Sequence, residues 1–312
     1  MIDVIPYTAE KQKEWNDFID ASKNGTFMLK RGYVEYHSDR FTDFSLMFYE
    51  EGKLIAVMPA SLHGEEVRSH GGLTYGGIIS DKKMTTPKML EVFDALKAFL
   101  KEKGKEKLIY KRVPSIYFSY PSDEDLYALF RNGAQLVRRD ISTVVYLPDK
   151  LRFSELRRRG AKKALKNGLE VRWSFDYDAY IALLTEVLSV HHETKPVHTA
   201  AELALLADRF PEVIKLYCAY RGEEMMAGVL IFDTPLTVHA QYIANSEEGR
   251  NIGALDLVMD YLINIYSEGK TYFDFGISTE EQGNVLNYGL IGQKEMFGGR
   301  GIAYDFYEWE IV

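Results

Sequence analysis

The sequence predicts an α/β fold of the α+β type, arranged as two tandem units of about 150 residues. The chain has 312 residues, which is long for one ordinary domain and suits two. Apolar residues make up 46% of it and aromatic residues 13%, enough to bury a substantial core. One series of predicted elements also occurs twice. We expect the boundary near residue 148, with domains at 1–148 and 149–312.

The repeated series has five elements. It begins with a β-hairpin that has a charged glycine turn and a central alanine in its second strand, Ala56 or Ala227. A strand with a tyrosine follows, Tyr75 or Tyr242, and then a polar loop, an amphipathic helix and a closing strand. The hairpin, helix and closing strand lie at 47–62, 86–100 and 107–111, and again at 218–232, 251–266 and 271–275. Five elements in one order at a near-constant offset predict an internal duplication.

Local signals predict the other elements of the first half. Residues 2–5 form a strand, and Thr8 caps a helix that places Trp15, Phe18 and Ile19 on one face. The remaining predicted elements are a turn at 24–26, helices at 31–37 and 122–133, and strands at 71–80 and 134–148.

After Pro148 the chain starts a second series. A basic helix is predicted to end on Gly168, and two later helices begin after Asp176 and Thr199, which are suitable N-caps. The predicted helices span 154–168, 176–194 and 199–210, and the predicted strands 169–175 and 236–245.

Composition excludes several classes of protein. The net charge of −8 argues against a protein that coats nucleic acid, so no DNA partner is expected. With one cysteine, Cys218, the chain has no disulfide framework and no cysteine-based metal site, and we expect no metal. The sequence has no apolar run near 18 residues and no secretory signal, which predicts a cytoplasmic protein without a membrane span.

The repeated series is similar to the core of the GNAT acyltransferases, and two such units resemble the FemABX-like family of double-GNAT aminoacyl transferases. Three segments carry this resemblance: "EWNDFIDASKNGTFMLKRGYVEY" from residue 14, "LRRRGAKKALKNGLEV" from residue 156 and "QKEMFGG" from residue 293. The resemblance implies two tandem GNAT-like domains, each with a mixed, mostly antiparallel sheet flanked by helices. It also implies that the first domain is mainly structural and that the second carries the active site.

The loop before the helix 251–266 is the expected donor-binding segment. GNAT enzymes that use acyl-CoA hold its pyrophosphate on backbone amides at this helix N-terminus. The loop here reads "GRNIGAL", in which Arg250, Asn251 and Gly253 fit that role. Leu255 stands where the family has a small residue, which argues against tight CoA binding.

Four residues are candidates for the chemistry of acyl transfer, which needs a proton acceptor and stabilisation of an oxyanion. The resemblance implies that Lys294 neutralises charge on the donor's phosphate or on the tetrahedral intermediate. Asp274 would act as a base or orient a partner, Tyr242 would donate a hydrogen bond, and His198 would act as a base near its ordinary pKa. Each also has a structural interpretation: a solvated lysine, a loop cap, a core tyrosine and an exposed loop residue.

Six further polar residues are candidates for substrate binding. They are Lys195, His191, Gln241, Glu280, Asn284 and Asn287. The resemblance implies a phosphate contact for Lys195, and the strand that holds Gln241 faces the donor in GNAT folds. The last three form a polar row that suits a sugar or a peptide backbone, or alternatively satisfies a tight turn.

The helix 154–168 carries the one strong cluster of positive charge. Its basic residues are Arg157, Arg158, Arg159, Lys162, Lys163 and Lys166. Such a cluster attracts an anionic donor such as acyl-CoA or aminoacyl-tRNA, or forms a solvated helix face.

Together these observations predict an acyltransferase that has no tightly bound cofactor and uses acyl-CoA or aminoacyl-tRNA as a donor substrate. It would move an acyl or aminoacyl group to an amine or hydroxyl of a cell-envelope or polysaccharide precursor, a glycan or a peptide. Transfer RNA would be a partner only as the donor. Two alternatives remain: an acetyl-CoA-dependent N- or O-acetyltransferase of a small molecule, and a non-catalytic GNAT-fold binding protein.

Overall fold

The structure is a computed structural model that describes residues 1–191 and 196–311, without the side chains of Val190 and His191. The chain forms two compact units. The first comprises Met1–Asp140, Glu281–Asn284 and Ala303–Val312, and the second Ile141–Glu280 and Val285–Ile302. The division at residue 148 stays a prediction.

The described residues form the following helices and strands. The helices are α1 Gln12–Ala21, α2 Arg31–Val34, α3 Thr86–Glu102, α4 Glu124–Arg131, α5 Glu155–Lys166, α6 Tyr177–His191, α7 Ala200–Arg209, α8 Glu247–Ile252, α9 Ala254–Ile265 and α10 Tyr288–Glu295. The strands are β1 Ile2–Pro6, β2 Thr42–Asp43, β3 Leu46–Glu50, β4 Lys53–Met58, β5 Ser61–His63, β6 Glu66–Arg68, β7 Ile79–Ser80, β8 Lys107–Lys111, β9 Gln135–Tyr146, β10 Glu170–Ser174, β11 Ile214–Arg221, β12 Glu224–Asp233, β13 Thr237–Asn245, β14 Tyr272–Ile277, β15 Thr279–Glu280, β16 Val285–Leu286 and β17 Arg300–Glu310.

The first unit packs helix α3 against its strands. One set of strands has the order β1-β3-β4-β7, and another the order β17-β8-β6-β5-β2. The Thr85 side chain accepts a hydrogen bond from the Lys88 amide and so caps α3, and Pro87 lies in the first turn. Apolar residues at helical spacing, among them Phe93 and Leu96, bury the inner face of α3. The predicted helix over 86–100 is confirmed.

The second unit contains a mixed sheet with the strand order β10-β11-β12-β13-β14-β9. Its pairs are antiparallel except β13 with β14, which is parallel. Helix α9 packs its apolar face, including Leu257, Val258 and Leu262, into the core of this sheet. The predicted fold class of two tandem, mostly antiparallel units flanked by helices is confirmed.

Strands β13 and β14 pair over only part of their length. The ladder joins Thr237 to Tyr272 and His239 to Asp274, whereas β13 continues to Asn245. The register of β13 against β12 shifts at Gln241, where Leu230 faces Tyr242 and Ile231 faces Ala240. An extra residue of this kind bends its strand. Strands β13 and β14 therefore diverge beyond their shared ladder.

One predicted helix is interrupted. Residues 251–266 were expected as one helix, but α8 ends and α9 begins at Gly253, whose φ of +83° favours glycine. A Cβ atom at Gly253 would lie 2.3 Å from the carbonyl oxygen of Gly160. This glycine therefore allows α5 to pack closely against the start of α9.

Candidate active site

Lys294 is a buried cation at the end of strand β14. It lies on α10 and is 6% exposed. Its Nζ donates to the carbonyl oxygens of Gly276 and Ile277 at 2.9 and 2.7 Å, and to Ser278 Oγ at 2.9 Å. Burial lowers the pKa of Lys294 to about 8, while nearby Asp274 acts to raise that pKa. The interpretation of Lys294 as a solvated lysine therefore does not describe this side chain.

Asp274 is fully buried on β14 and joins three neighbours. Its Oδ1 accepts from Ser142 Oγ at 2.5 Å and from the Gly276 amide at 2.9 Å, and its Oδ2 lies 2.8 Å from His239 Nδ1. The His239 nitrogen donates in this contact, since a carboxylate can only accept. The carboxylate fixes the turn at Gly276, whose neighbouring carbonyls hold Lys294, so its geometry suits an orienting role.

His239 and Ser142 were not among the predicted site residues. Each belongs to a strand beside β14. His239 of β13 pairs with Asp274 in the parallel ladder, and Ser142 of β9 pairs with Ile277 of β14. Finding them would have required the strand order, because neither residue has a motif around it. The only available signal was a polar residue in an otherwise apolar strand.

Tyr242 and His198 are brought together by the fold. The Tyr242 hydroxyl lies 2.6 Å from His198 Nδ1, and both residues are largely buried. Burial is the largest influence on the Tyr242 hydroxyl and raises its pKa. Tyr180 Oη on α6 donates to the Tyr242 carbonyl oxygen at 2.8 Å, which ties α6 to β13. Gln241 is the residue at the bulge beside them.

A cavity of about 480 Å³ lies in the second unit where β13 and β14 diverge. Its walls come from α6, β13, α8, α9, β14 and α10. Its polar lining residues are Asn245, Arg250, Asn287, Gln293 and Lys294. Tyr242 precedes the lining residue Ile243, and consecutive strand side chains point to opposite faces. The side chains of Tyr242 and Ile243 therefore point to opposite faces of β13, and Tyr242 is not among the residues that line the cavity.

The predicted donor loop, residues 249–255, has two side chains in this cavity, those of Arg250 and Leu255. The Asn251 carbonyl oxygen accepts from Lys163 Nζ at 2.8 Å. Leu255, the departure from the GNAT pattern, lines the cavity and is 6% exposed. Gly253 packs against α5, and its role in donor binding stays a prediction.

The polar row forms mainly local hydrogen bonds. The Asn287 side chain caps α10 by accepting from the Leu290 amide at 2.9 Å, and it donates to Glu280 Oε1 at 2.7 Å. Asn284 Nδ2 donates to the Glu281 carbonyl oxygen at 2.9 Å. Glu280 and Asn287 belong to the second unit and Asn284 to the first. Of the three, Asn287 lines the cavity.

Two predicted substrate residues cannot be placed. Lys195 lies outside the described residues, and His191 is described only by its backbone, as the last residue of α6.

The basic helix α5 is partly paired within the second unit. Arg157 contacts Asp256 at 2.9 Å, and Arg158 and Arg159 pair with Glu155. Over residues 1–191 and 196–311, no cluster of histidine, cysteine or carboxylate side chains is arranged to hold a metal ion. In the same part of the chain, no helix combines the length and apolarity that crossing a membrane requires.

Residues 153–283 match the family model described as Acetyltransferase (GNAT) domain. No curated protein matches the chain. Among solved structures, FemX is similar with a TM-score of 0.69 and 11% identity, over 99% of this chain and 97% of its own. L-PGS from Bacillus licheniformis gives 0.64 and 14%, over 97% and 92%. A tandem GNAT protein from the clavulanic acid biosynthesis pathway gives 0.54 and 11%, over 100% and 99%.

Proposed function

We propose that this chain, whose residues 153–283 form a domain of the GNAT acetyltransferase family, moves an activated acyl or aminoacyl group to an amine or hydroxyl of a cell-envelope or polysaccharide precursor. The prediction of an acyltransferase with the FemABX-like double-GNAT fold is confirmed. The resemblance to the FemABX-like family, which extends peptidoglycan side peptides, supports an envelope acceptor, and the similarity in fold to FemX agrees with it. The donor and the acceptor are part of the proposal.

The observation that carries the proposal is the position of Lys294. A buried ammonium group lies in the wall of an apolar cavity, at the point where the only parallel strand pair of the described second unit diverges. Below pH 8 this cation stabilises negative charge that develops on a bound acyl donor, and the low dielectric of the site strengthens the effect. To contact such an oxyanion, Nζ exchanges one of its three present acceptors.

The Tyr242–His198 pair is our candidate for the acceptor side. If Nδ1 of His198 donates to the Tyr242 oxygen, the other ring nitrogen of the neutral imidazole is the one that carries no hydrogen and can accept a proton. That nitrogen then takes the proton from the attacking amine or hydroxyl, and the Tyr242 hydrogen is available to the substrate. The acceptor approaches from this face of β13 and the donor from the face that carries Ile243.

The experiment is a transfer assay with the purified chain and a nucleotide-linked peptidoglycan precursor as acceptor. Acetyl-CoA, octanoyl-CoA and a charged-tRNA mixture serve in turn as donors, and mass spectrometry of the acceptor is the readout. We expect one donor to add its acyl group to the precursor, and Lys294→Ala to remove that product. Lys150→Ala, a change of an exposed lysine in the same unit, is the matched control.

The family description favours one other function, acetyl-CoA-dependent acetylation of a small molecule. Acetylation of small amines together with an unmodified envelope precursor, for every donor, would favour that function over the proposed one.

A further inference from the structure

The cavity beside Lys294 is larger and more apolar than an acetyl group requires. Eight of its lining side chains are hydrocarbon, aromatic or thioether, and they include Leu255, Met259, Phe275 and Phe297 from the unit's core. Its volume of about 480 Å³ lies in the range that holds a drug-sized molecule. An acetyl group would leave most of this surface uncovered, whereas a longer hydrocarbon chain would cover it.

The charged residues that line the cavity in the described part of the chain have one sign. Arg250 and Lys294 are its cations, and its other polar side chains are the amides of Asn245, Asn287 and Gln293. Among the described residues that line it, none is a carboxylate, although the chain carries a net charge of −8. Asp274 influences Lys294, but it is fully buried and does not line the cavity. The cavity therefore favours a neutral or anionic ligand and repels an ammonium group.

Asn245 adds a hydrogen-bond requirement. Its Oδ1 is buried and has no hydrogen-bond partner among the residues the structure describes, and the side chain lines the cavity at the end of β13. A buried acceptor without a partner is costly, so the part of the donor molecule that lies beside Asn245 is expected to supply an uncharged N–H or O–H group.

We propose that the donor's transferred group is an uncharged, apolar acyl chain of several carbons that fills this cavity, with the donor's anionic part directed toward Arg250 and Lys294. The inference rests on the proposed function and names its donor class. An aminoacyl donor fits less well, because its α-ammonium group would enter a cavity lined by two cations. Leu255 and Met259 supply wall surface that a small residue would not supply.

The test is a binding series with simple probes, measured by calorimetry on the purified chain. The probes are butyl, hexyl and octyl phosphate, with hexyl- and octylammonium as partners of equal length and opposite charge, all below their micelle concentrations. Each added methylene is expected to tighten phosphate binding about fourfold, since burying one contributes about 0.8 kcal/mol. The alkylammonium ions are expected to bind at least about tenfold more weakly than phosphates of equal length.

Two variants connect the series to the cavity. Leu290→Trp and Val187→Trp each add bulk at a lining residue that is not fully buried, so the chain should still fold. We expect both to weaken octyl phosphate about tenfold and butyl phosphate much less. Leu205→Trp, at a 41% exposed position of α7 outside the cavity, is the matched control and should change neither.

Phosphate affinities that do not depend on chain length, or alkylammonium ions that bind as tightly as phosphates, would overturn the inference. The proposed function fails separately, when no donor modifies the envelope precursor in the transfer assay. If the affinity of the alkyl phosphates does not depend on chain length while aminoacyl or acetyl transfer occurs, only the inference is contradicted. If the affinity rises with chain length but no transfer occurs, the proposed function is contradicted and the cavity's preference for apolar chains still holds.

Discussion

The closing strand of the repeated series has a buried residue with a polar group in both units, but the two residues contact different neighbours. In the first unit it is Tyr110, whose hydroxyl donates to Asp125 Oδ2 at 2.9 Å and accepts from the Ile78 amide at 2.8 Å. In the second it is Asp274, which accepts from Ser142 and Gly276 and contacts His239. Tyr110 is part of a packed core, and Asp274 supports the turn at Gly276 that binds the Lys294 ammonium group.

The strand before the closing strand also differs between the units: it is short and closely packed in the first unit, and long and bent in the second. In the first unit the glycine-rich segment 71–80 forms only the short strand β7, and a Cβ at Gly77 would lie 2.6 Å from the Tyr110 ring. In the second unit the corresponding strand is the nine-residue β13, which bends at Gln241 and borders the cavity. One order of elements therefore gives close packing where glycines let the backbone meet an aromatic ring, and a cavity where a bulge bends the strand.

The two units also provide two lysines for comparison. Lys111 ends β8, donates to the carbonyl oxygens of His70 and Leu73, and has its pKa lowered by burial to about 7. Lys294 donates to the carbonyl oxygens of Gly276 and Ile277 and has a pKa of about 8. If a lowered pKa alone marked a functional lysine, both would be candidates. The cavity beside Lys294 is the reason that we assign function to the second one.

Replacing each lysine by methionine gives the largest expected contrast. Lys294→Met should lower the turnover number of acyl transfer by about 10²–10³, the usual effect of losing one group that stabilises an oxyanion. Lys111→Met should leave that rate within about twofold, because the proposed chemistry lies in the other unit. Thermal unfolding of both variants checks that they are folded. Equal losses in both would remove the functional distinction between the units.

The same two variants should differ in the pH at which their free energy of unfolding departs from that of the wild type. Between pH 8 and 10.5 the unfolded chain keeps a proton on Lys294 that the folded chain has lost, so the free energy of unfolding rises with pH. The rise from this one group is at most about 1.4 kcal/mol per pH unit, and it is absent below pH 8. Lys294→Met should remove the part of this rise in the free energy of unfolding that begins near pH 8. Lys111→Met should remove a corresponding part that begins near pH 7.

Urea unfolding from pH 6.5 to 9.5, taken as the difference from wild type, isolates each component because the other groups titrate alike in all three proteins. A Lys294→Met difference that does not change with pH would contradict the lowered pKa.

The sequence was sufficient for the fold because its signals are local or repeated. Hairpin turns, caps such as Thr199 and the recurring order of elements predicted two α+β units. The Thr199 side chain does accept a hydrogen bond from the Glu202 amide at the start of α7.

The rest of the candidate site depends on long-range strand geometry. The contact between His239 and Asp274 exists because β13 and β14 run parallel in one register, which neither segment specifies alone. The cavity depends on the bulge at Gln241, and Leu255 acquires its place as wall surface only when β13 and β14 diverge. A departure from a family motif thus marked a feature of the site whose meaning required the structure.

Removing one hydroxyl from each unit gives the smallest contrast and tests whether Tyr242 is more than core packing. Tyr242→Phe should lower the transfer rate about three- to tenfold, because His198 loses the oxygen that orients its ring, at about 0.5–1.5 kcal/mol. Tyr110→Phe removes a hydroxyl that joins Asp125 to the Ile78 amide, so it should lower the free energy of unfolding by about 1–3 kcal/mol and leave the transfer rate unchanged. The pH–rate profile distinguishes an orienting role from a loss of packing: in Tyr242→Phe the limb that reports the base should move, because the hydrogen bond between Tyr242 and His198 is gone. A lower rate with an unchanged pKa on that limb would mean that Tyr242 contributes only core packing. His198 would then no longer be supported as the base on the acceptor side.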